Sequence, residues 1–392
     1  MTENPTGPLA GLLVVDLTRV LAGPYAALML NELGARIIKV EPPRTGDDSR
    51  HIGPFVKTPT GKTKSGYFMS VNRAKESIAL DLKAPGDRII FEALLARADV
   101  LIENYRGGTM EKLGYGYAQL KDKYPRLVYC GVSGFGHTGP YARRPAYDMV
   151  VQAMGGVMSL TGHPDSPPTR VGTSTGDLSA GLFAVIGVLA ALYDRKTTQQ
   201  GQKVDIAMLD SQVALLENAI SRYVATGEVP GRLGSRHPSI APFAAFATKD
   251  GHIAIAAGND ELFARVARVL GRDDLIADER FTSNPRRVAN HEPLHEQMEI
   301  ALSARSSKDW LAALDAAGVP SGPLNNVAQV MADPQVLARN MIVETIDPDL
   351  GPIRMQGNPV KLSAHPDPKT REHAPDLDEH RAAILKELGL DT

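Results

Sequence analysis

Asp177 has the setting that most invites chemistry. The run Pro167-Pro-Thr-Arg-Val-Gly-Thr-Ser-Thr-Gly-Asp177 carries small residues up to an aspartate, and an apolar helical stretch follows. An aspartate there can simply cap the helix, accepting hydrogen bonds from its free N–H groups. The same position also sets a carboxylate beside donors able to stabilise a developing oxyanion. Gly172 and Gly176 would let a bulky ligand approach the backbone. A second cluster is basic: Arg44 and Arg50 lie in Glu41-Pro-Pro-Arg-Thr-Gly-Asp-Asp-Ser-Arg50, and Arg73 and Lys75 in Val71-Asn-Arg-Ala-Lys75. Such a cluster is either a solvated face or a pocket for phosphates and carboxylates, which arginine grips with two parallel hydrogen bonds.

Two other motifs lose their usual meaning on inspection. His291-Glu-Pro-Leu-His295 spells a zinc-protease pattern. Pro293 belongs at a helix start, so the helix is expected near Glu292 with His291 outside it, and no metal site is expected. The first strand-to-helix turn, Thr18-Arg-Val-Leu-Ala-Gly-Pro24, has one glycine where a dinucleotide fingerprint needs three, so NAD is not expected. Cys130 is the only cysteine, which excludes an intrachain disulfide or a cysteine-rich metal cluster and fits a reducing, cytoplasmic setting.

The elements that must position these residues alternate. Strands are expected at Leu12–Leu17, Arg36–Val40, Ser77–Leu82, Asp99–Glu103, Leu127–Val132 and Gln202–Ile206. Helices are expected at Tyr25–Gly34, Asp87–Ala98, Asp177–Asp194 and Leu209–Ala225. This alternation implies an α/β fold with a parallel sheet covered by helices. The apolar run Leu178–Tyr193 is sixteen residues, short of a membrane span, and reads as a buried core helix. Near 226 the texture changes to Gly, Pro and basic residues. Beyond it, the hairpin Phe243–Thr248/His252–Ala256 and helices at Asp260–Leu270, Glu292–Leu302 and Lys308–Ala317 suggest a smaller α+β domain. The expected division is 1–225, 226–325 and a C-terminal segment 326–392 ending in the helix Glu379–Leu388. The chain's 392 residues suit two to three domains. Its net charge of −2 gives no footprint for nucleic acid, and Met1–Gly11 carries no signal-peptide pattern.

Nine segments in order resemble one family. They are Leu17–Tyr25, Gly34–Pro43, Gly46-Asp-Asp, Asn72–Lys75, Leu80–Lys83, Asp99–Tyr105, Gly134–Pro140, Pro145–Asp148 and the Asp177 segment. The chain resembles the family III CoA-transferases, the formyl-CoA and carnitine-CoA transferase group, from about Leu9 to the last helix. The resemblance implies a Rossmann-like large domain built from both chain ends, a small α+β domain, and two subunits interlocked as a homodimer. It implies acyl-CoA and a small carboxylic acid as substrates, with neither metal, NAD nor membrane involved.

Carried over by position, Asp177 is the implied catalytic aspartate. Coenzyme A contacts would fall on Leu21, Ala22, Leu80, Lys83, Asn104, Tyr105, Arg106, Lys112, Tyr147 and Asp148. Arg44 would take a phosphate contact, because Pro42 stands where some members carry arginine. Leu21 in place of glutamine, and only Gly231 and Gly234 in the 231–238 loop, point away from oxalate and formate. The pattern around Gly46–Arg50, Asn72-Arg73 and His237–Pro242 looks closer to succinyl-CoA:glutarate and related dicarboxylate transferases, with Arg50, Arg73 and His237 as candidates for the acceptor's distal carboxylate. A 2-methylacyl-CoA racemase is the alternative. Tyr147 weakens it, since a tyrosine with a pKa near ~10 replaces the histidine used for α-proton exchange. A non-catalytic CoA-binding protein is the third reading.

Overall fold

The computed structural model describes residues 7–390, which form two compact units. The larger takes in the chain up to Val157, Arg170–Ser221 and everything from Pro334 on. The smaller takes in Met158–Thr169 and Arg222–Asp333. The division falls at 222 and 334 rather than 226 and 326, and the short excursion Met158–Thr169 is invisible in the sequence texture.

The larger unit is an α/β sandwich. In chain order it runs β1 (Leu13–Asp16), α1 (Ala22–Glu32), β2 (Arg36–Glu41), α2 (Gly66–Asn72), β3 (Glu76–Ala79), α3 (Pro85–Arg97), β4 (Val100–Glu103), β5 (Val128–Ser133), α4 (Asp148–Met154), α5 (Thr175–Thr198) and β6 (Lys203–Ala207). The six strands lie in the order β3-β2-β1-β4-β5-β6, all parallel. Alternate side chains feed two cores. Val14, Ile37, Val100, Ile102 and Val128 pack under α1 and α5. Val15, Ile38, Ile78, Leu101 and Tyr129 pack under α3 and Ile384 of the closing helix Arg381–Leu388. Both ends of the chain therefore build this unit.

Helix α5 has 24 residues, longer than its apolar run suggests, and by length and composition alone it could cross a membrane. Ala180, Ala184 and Val188 face the core, while Leu182 and Ile186 are exposed. Gly181 decides how closely α5 meets α1: a Cβ there would sit 2.8 Å from the Ala22 carbonyl oxygen and 2.9 Å from the Tyr25 ring. That contact seats α5 against the first turn of α1. The helix expected over Leu209–Ala225 is instead two, Met208–Ala214 and Asn218–Thr226, with Glu217 between them in a left-handed conformation at φ 51°.

Strand order reverses between β1 and β4, and in such sheets ligands bind beyond the carboxyl ends of the strands at that point. The two loops there are tied together: Arg19 N–H donates to Asn104 Oδ1 (2.8 Å), and Asn104 Nδ2 donates to the Arg19 carbonyl (2.7 Å). Beneath them lies a buried charge network. Lys75 Nζ meets Asp16 at 2.9 Å, Lys39 Nζ meets Asp47 at 2.8 Å, and Lys39 also donates to the Thr18 carbonyl at 2.7 Å. Asp47 Oδ1 accepts the Val20 N–H (3.0 Å) and the Ser49 N–H (2.8 Å), holding Val20 at φ 67°. Burial opposes the charge on Asp47, yet Lys39 and these donors keep its carboxyl well below the usual range. Burial likewise draws Lys75 down to about 8 against the pull of Asp16. Lys75 thus belongs neither to a solvated face nor to an open anion pocket.

In the smaller unit β7 (Phe243–Ala247), β8 (His252–Ala256) and β9 (Ser321–Pro323) form an antiparallel sheet in the order β9-β8-β7. Helices Asp260–Val269, His291–Leu302 and Ser307–Ala316 enclose a core around Phe246, Ile253, Phe263, Met298 and Trp310. His291 is the first residue of its helix rather than outside it, because Pro293 sits in the first turn, where a missing N–H costs nothing. The His291 and His295 rings stack 5.6 Å apart, and His295 faces Glu299 at 3.2 Å.

Removing one partner of a buried ion pair strands the other charge. Asp47→Ala is expected to cost about 3–5 kcal/mol in denaturant unfolding. A loss under about 1 kcal/mol would show that the network does not hold the β1 loop.

Candidate active site

Asp177 is the third residue of α5 and does not cap it. Ser174 occupies the cap position, but its side chain makes no capping bond to the helix. The capping work falls to Asp148, brought in by α4: its Oδ1 accepts the Gly176 N–H at 2.8 Å, and its Oδ2 accepts from Gln152 Nε2 at 2.8 Å and faces Arg170 Nη2 at 3.1 Å. Gly176 is needed for this approach, since a Cβ would sit 2.6 Å from Val151 and 3.0 Å from Asp148 Oδ1. Asp177's carboxylate is left with no hydrogen bond or ion pair among the described residues. Burial first, and then the neighbouring charge of Asp148, push it up to about 7, while Arg170 opposes the rise. An unpaired carboxylate poised near neutrality has the chemistry a nucleophile or base needs.

Tyr67 on α2 feels the charges of Asp177 and Asp148. Burial, and then the charges of Asp177, Asp47 and Asp148, push its hydroxyl to about 12. Neither Tyr67 nor Arg170 stands out in the sequence. Arg170 lies inside the segment read for Asp177 and its glycines, and Tyr67 carries no motif signal of its own.

The residues expected to meet CoA are distributed along the carboxyl edge of the sheet. Leu21 and Ala22 are buried at the start of α1, and Leu80 is buried after β3. Arg44, Lys83, Arg106 and Lys112 are exposed beyond β2, β3 and β4, a basic rim suited to phosphates. Arg44 takes φ 71° to reach its place. Asn104 spends its amide on the Arg19 backbone, and Tyr105 lies under the Arg19 guanidinium at 5.3 Å. Glu103 anchors this loop, accepting the Tyr105 N–H (2.7 Å) and the Tyr129 hydroxyl (3.0 Å). Burial pushes Glu103 up to about 7. His137 Nε2 lies 3.6 Å away over Gly131, where a Cβ would come within 2.7 Å of the imidazole. Tyr147 is 75% exposed, and Asp148 turns inward to α5 as described.

The acceptor candidates fare differently. Arg73 is buried and committed to Glu32: its Nη2 and Nε both reach Oε1, at 2.7 and 3.1 Å. Its expected grip on a substrate carboxylate is corrected accordingly, because that charge is already neutralised inside the fold. Arg50 pairs with Glu41 through two 2.8 Å bonds and lies over the Phe68 ring at 3.7 Å. It lines a cavity of about 460 Å³ with His51, Lys64 and Asp376. His237, in the smaller unit, accepts the Ser239 N–H at Nδ1 (3.1 Å) and has the Phe243 ring 5.3 Å from its own.

Asp148→Asn keeps an acceptor for Gly176 and removes the charge facing Asp177. A carboxyl NMR titration is expected to show Asp177 moving down from about 7 by about one unit. An unmoved midpoint would mean that Asp148 does not act on Asp177 through its charge.

Known proteins resemble this chain over nearly its whole length. The model of CoA-transferase family III matches residues 9–381. Acetyl-CoA:oxalate CoA-transferase of Acetobacter aceti is 48% identical, with 99% of each chain covered. Succinate–glutarate CoA-transferase of Agrobacterium fabrum is 40% identical over 99% of this chain and 98% of its own. A CAIB/BAIF family protein from Brucella suis superposes with a TM-score of 0.87 at 42% identity, covering 98% of this chain and all of that one. With the fold, the free carboxylate and these likenesses together, the chain belongs to CoA-transferase family III and is an enzyme of that family.

Proposed function

We propose that this enzyme moves CoA from an acyl-CoA donor to a dicarboxylic acid with Asp177 as the covalent carrier. The observation that carries this reading is the half-buried, unpaired carboxylate at the start of α5. Its oxygen attacks the donor's thioester carbonyl, and the C–S bond breaks to leave a mixed anhydride and CoA thiolate. The thiolate attacks the aspartyl carbonyl, forming an aspartyl–CoA thioester and freeing the donor's acid. The acceptor carboxylate then attacks that thioester, giving a second anhydride and thiolate. Attack of the thiolate on the acceptor's acyl carbonyl releases the new acyl-CoA and returns Asp177. No thioester energy is lost to water as long as water is kept from the anhydrides. Arg44, Lys83, Arg106 and Lys112 hold the phosphates of CoA at the sheet edge, and the loops of Leu21 and Asn104 flank its thiol arm.

The names of the relatives widen the substrate choice. An oxalate transferase at 48% identity stands against the sequence-based turn away from oxalate, so oxalate joins glutarate among the acceptors, and acetyl-CoA joins succinyl-CoA among the donors. The racemase reading needs a second, free acid/base group beside Asp177. Asp148 is spent on Gly176, Gln152 and Arg170, and Tyr147 is exposed. The active form is a cytoplasmic homodimer. Its support is an exposed apolar surface on α4 and α5, including Tyr147, Met149, Leu182, Ile186 and Tyr193. Sedimentation is expected to give twice the 42.1 kDa chain mass, and a monomer would contradict it.

The test offers succinyl-CoA and acetyl-CoA with glutarate, oxalate, malate, itaconate, carnitine and acetate, and follows new thioesters by mass spectrometry. Wild type is expected to make a dicarboxyl-CoA and Asp177→Ala to make none. Equal turnover by the variant would overturn the role of Asp177. Deuterium entering the α-position of a 2-methylacyl-CoA, with no acid converted, would favour the racemase.

A further inference from the structure

We propose that Arg170 grips the second carboxylate of the acceptor and so sets the preference for dicarboxylic over monocarboxylic acids. This rests on the transferase reading above and goes further by naming the residue that selects the acid.

A dicarboxylate brings two negative charges to a site that already holds Asp177 and Asp148. Like charges in a partly desolvated site repel strongly, so an acceptor of this class needs a cation with donors to spare. The two arginines that the sequence suggests for this carboxylate are each held by two bonds to a glutamate. Arg73 is closed off by Glu32, and Arg50 by Glu41 and the Phe68 ring. Arg170 is not. Its only bonds among the described residues use Nη2, at 3.1 Å to Asp148 Oδ2 and 3.4 Å to Ser174 Oγ. Nε and Nη1 have no partner there, and the side chain is 40% exposed. A guanidinium with a free edge is suited to a carboxylate in a two-bond fork.

Its placement is fixed rather than incidental. The backbone of the next residue is pinned by Gln152, whose Oε1 accepts the Val171 N–H at 2.9 Å while its Nε2 donates to Asp148 at 2.8 Å. Gln152 is fully buried, so this clamp does not depend on solvent. Arg170 is also the basic group whose charge opposes the upward shift of Asp177, which places its field at the nucleophile. Arg170 meets Asp148 at 3.1 Å, and Asp148 in turn holds the N–H of Gly176, the residue before Asp177, at 2.8 Å, so a short diacid reacting at Asp177 with one end is offered this guanidinium for the other. Monocarboxylates leave Arg170 to Asp148 and water and gain nothing from it.

The experiment compares acceptors of equal length, glutarate and pentanoate, by kcat/KM with one acyl-CoA donor. Wild-type transfer to any acid scores the parent reading first, and the ratio between the two acids in the variants then scores Arg170 alone. Wild type is expected to prefer glutarate. Arg170→Ala is expected to lose about 10- to 100-fold on glutarate, chiefly through KM, the range a charge-assisted bond carries, and to lose far less on pentanoate. Arg170→Lys keeps the charge without the fork and is expected to recover part of the ratio. Equal losses on both acids would make Arg170 a support for Asp148 and overturn the proposal, as would a wild type indifferent to the second carboxylate. If Arg170→Ala does not fold, Arg170→Gln, which keeps a donor toward Asp148, gives the same comparison: a loss confined to glutarate supports the proposal, and equal losses overturn it.

Discussion

The N–H of Gly176 points at Asp148 and not at Asp177, and the chemistry of the site follows from that. A helix start leaves several N–H groups unsatisfied, and a nearby carboxylate ordinarily covers them. Here a carboxylate from a different helix does so, across 28 residues of sequence. Asp177 is thereby spared capping and faces a second negative charge at close range. Its raised proton affinity comes from burial first and from that neighbouring charge second. In the role proposed for it, a carboxylate placed this way needs no general base, only a protein rigid enough to keep two carboxylates near each other.

That rigidity comes from beneath the loops. Lys39, Asp47, Lys75 and Asp16 form two buried ion pairs that fasten the β1 loop to β2 and α2. The reciprocal bonds between Arg19 and Asn104 fasten it to the β4 loop. Gly181 lets α5 come close to the first turn of α1. Buried ion pairs of this kind contribute little net stability, and here they hold the loops after β1 and β2 to the sheet.

How much of this is legible in the sequence depends on the range of the interaction. Short runs such as Leu13–Asp16 and Val100–Glu103 follow their β-branched and apolar content, and the parallel sheet follows from their alternation with helices. Asp177 is legible because glycines and an apolar helix flank it. Asp148 is placed by the resemblance as a CoA contact, and nothing local marks it as the cap of a helix starting 27 residues later. Arg73 and Lys75 look like solvated or ligand-facing charges because their partners, Glu32 and Asp16, are 41 and 59 residues away. Charge partners at such separations leave no periodic trace. Arg170 escapes notice for the opposite reason, since its importance lies in having donors without partners.

Everything proposed for this site turns on Asp177 becoming covalently loaded. The direct measurement mixes enzyme with acyl-CoA, quenches in acid within seconds, digests, and weighs the peptide that contains Asp177. Covalent transfer predicts that peptide carrying either the acyl group or CoA on the aspartate, with the CoA adduct depleted when an acceptor acid is added. Turnover with that peptide unmodified, or with the adduct on another residue, would contradict it.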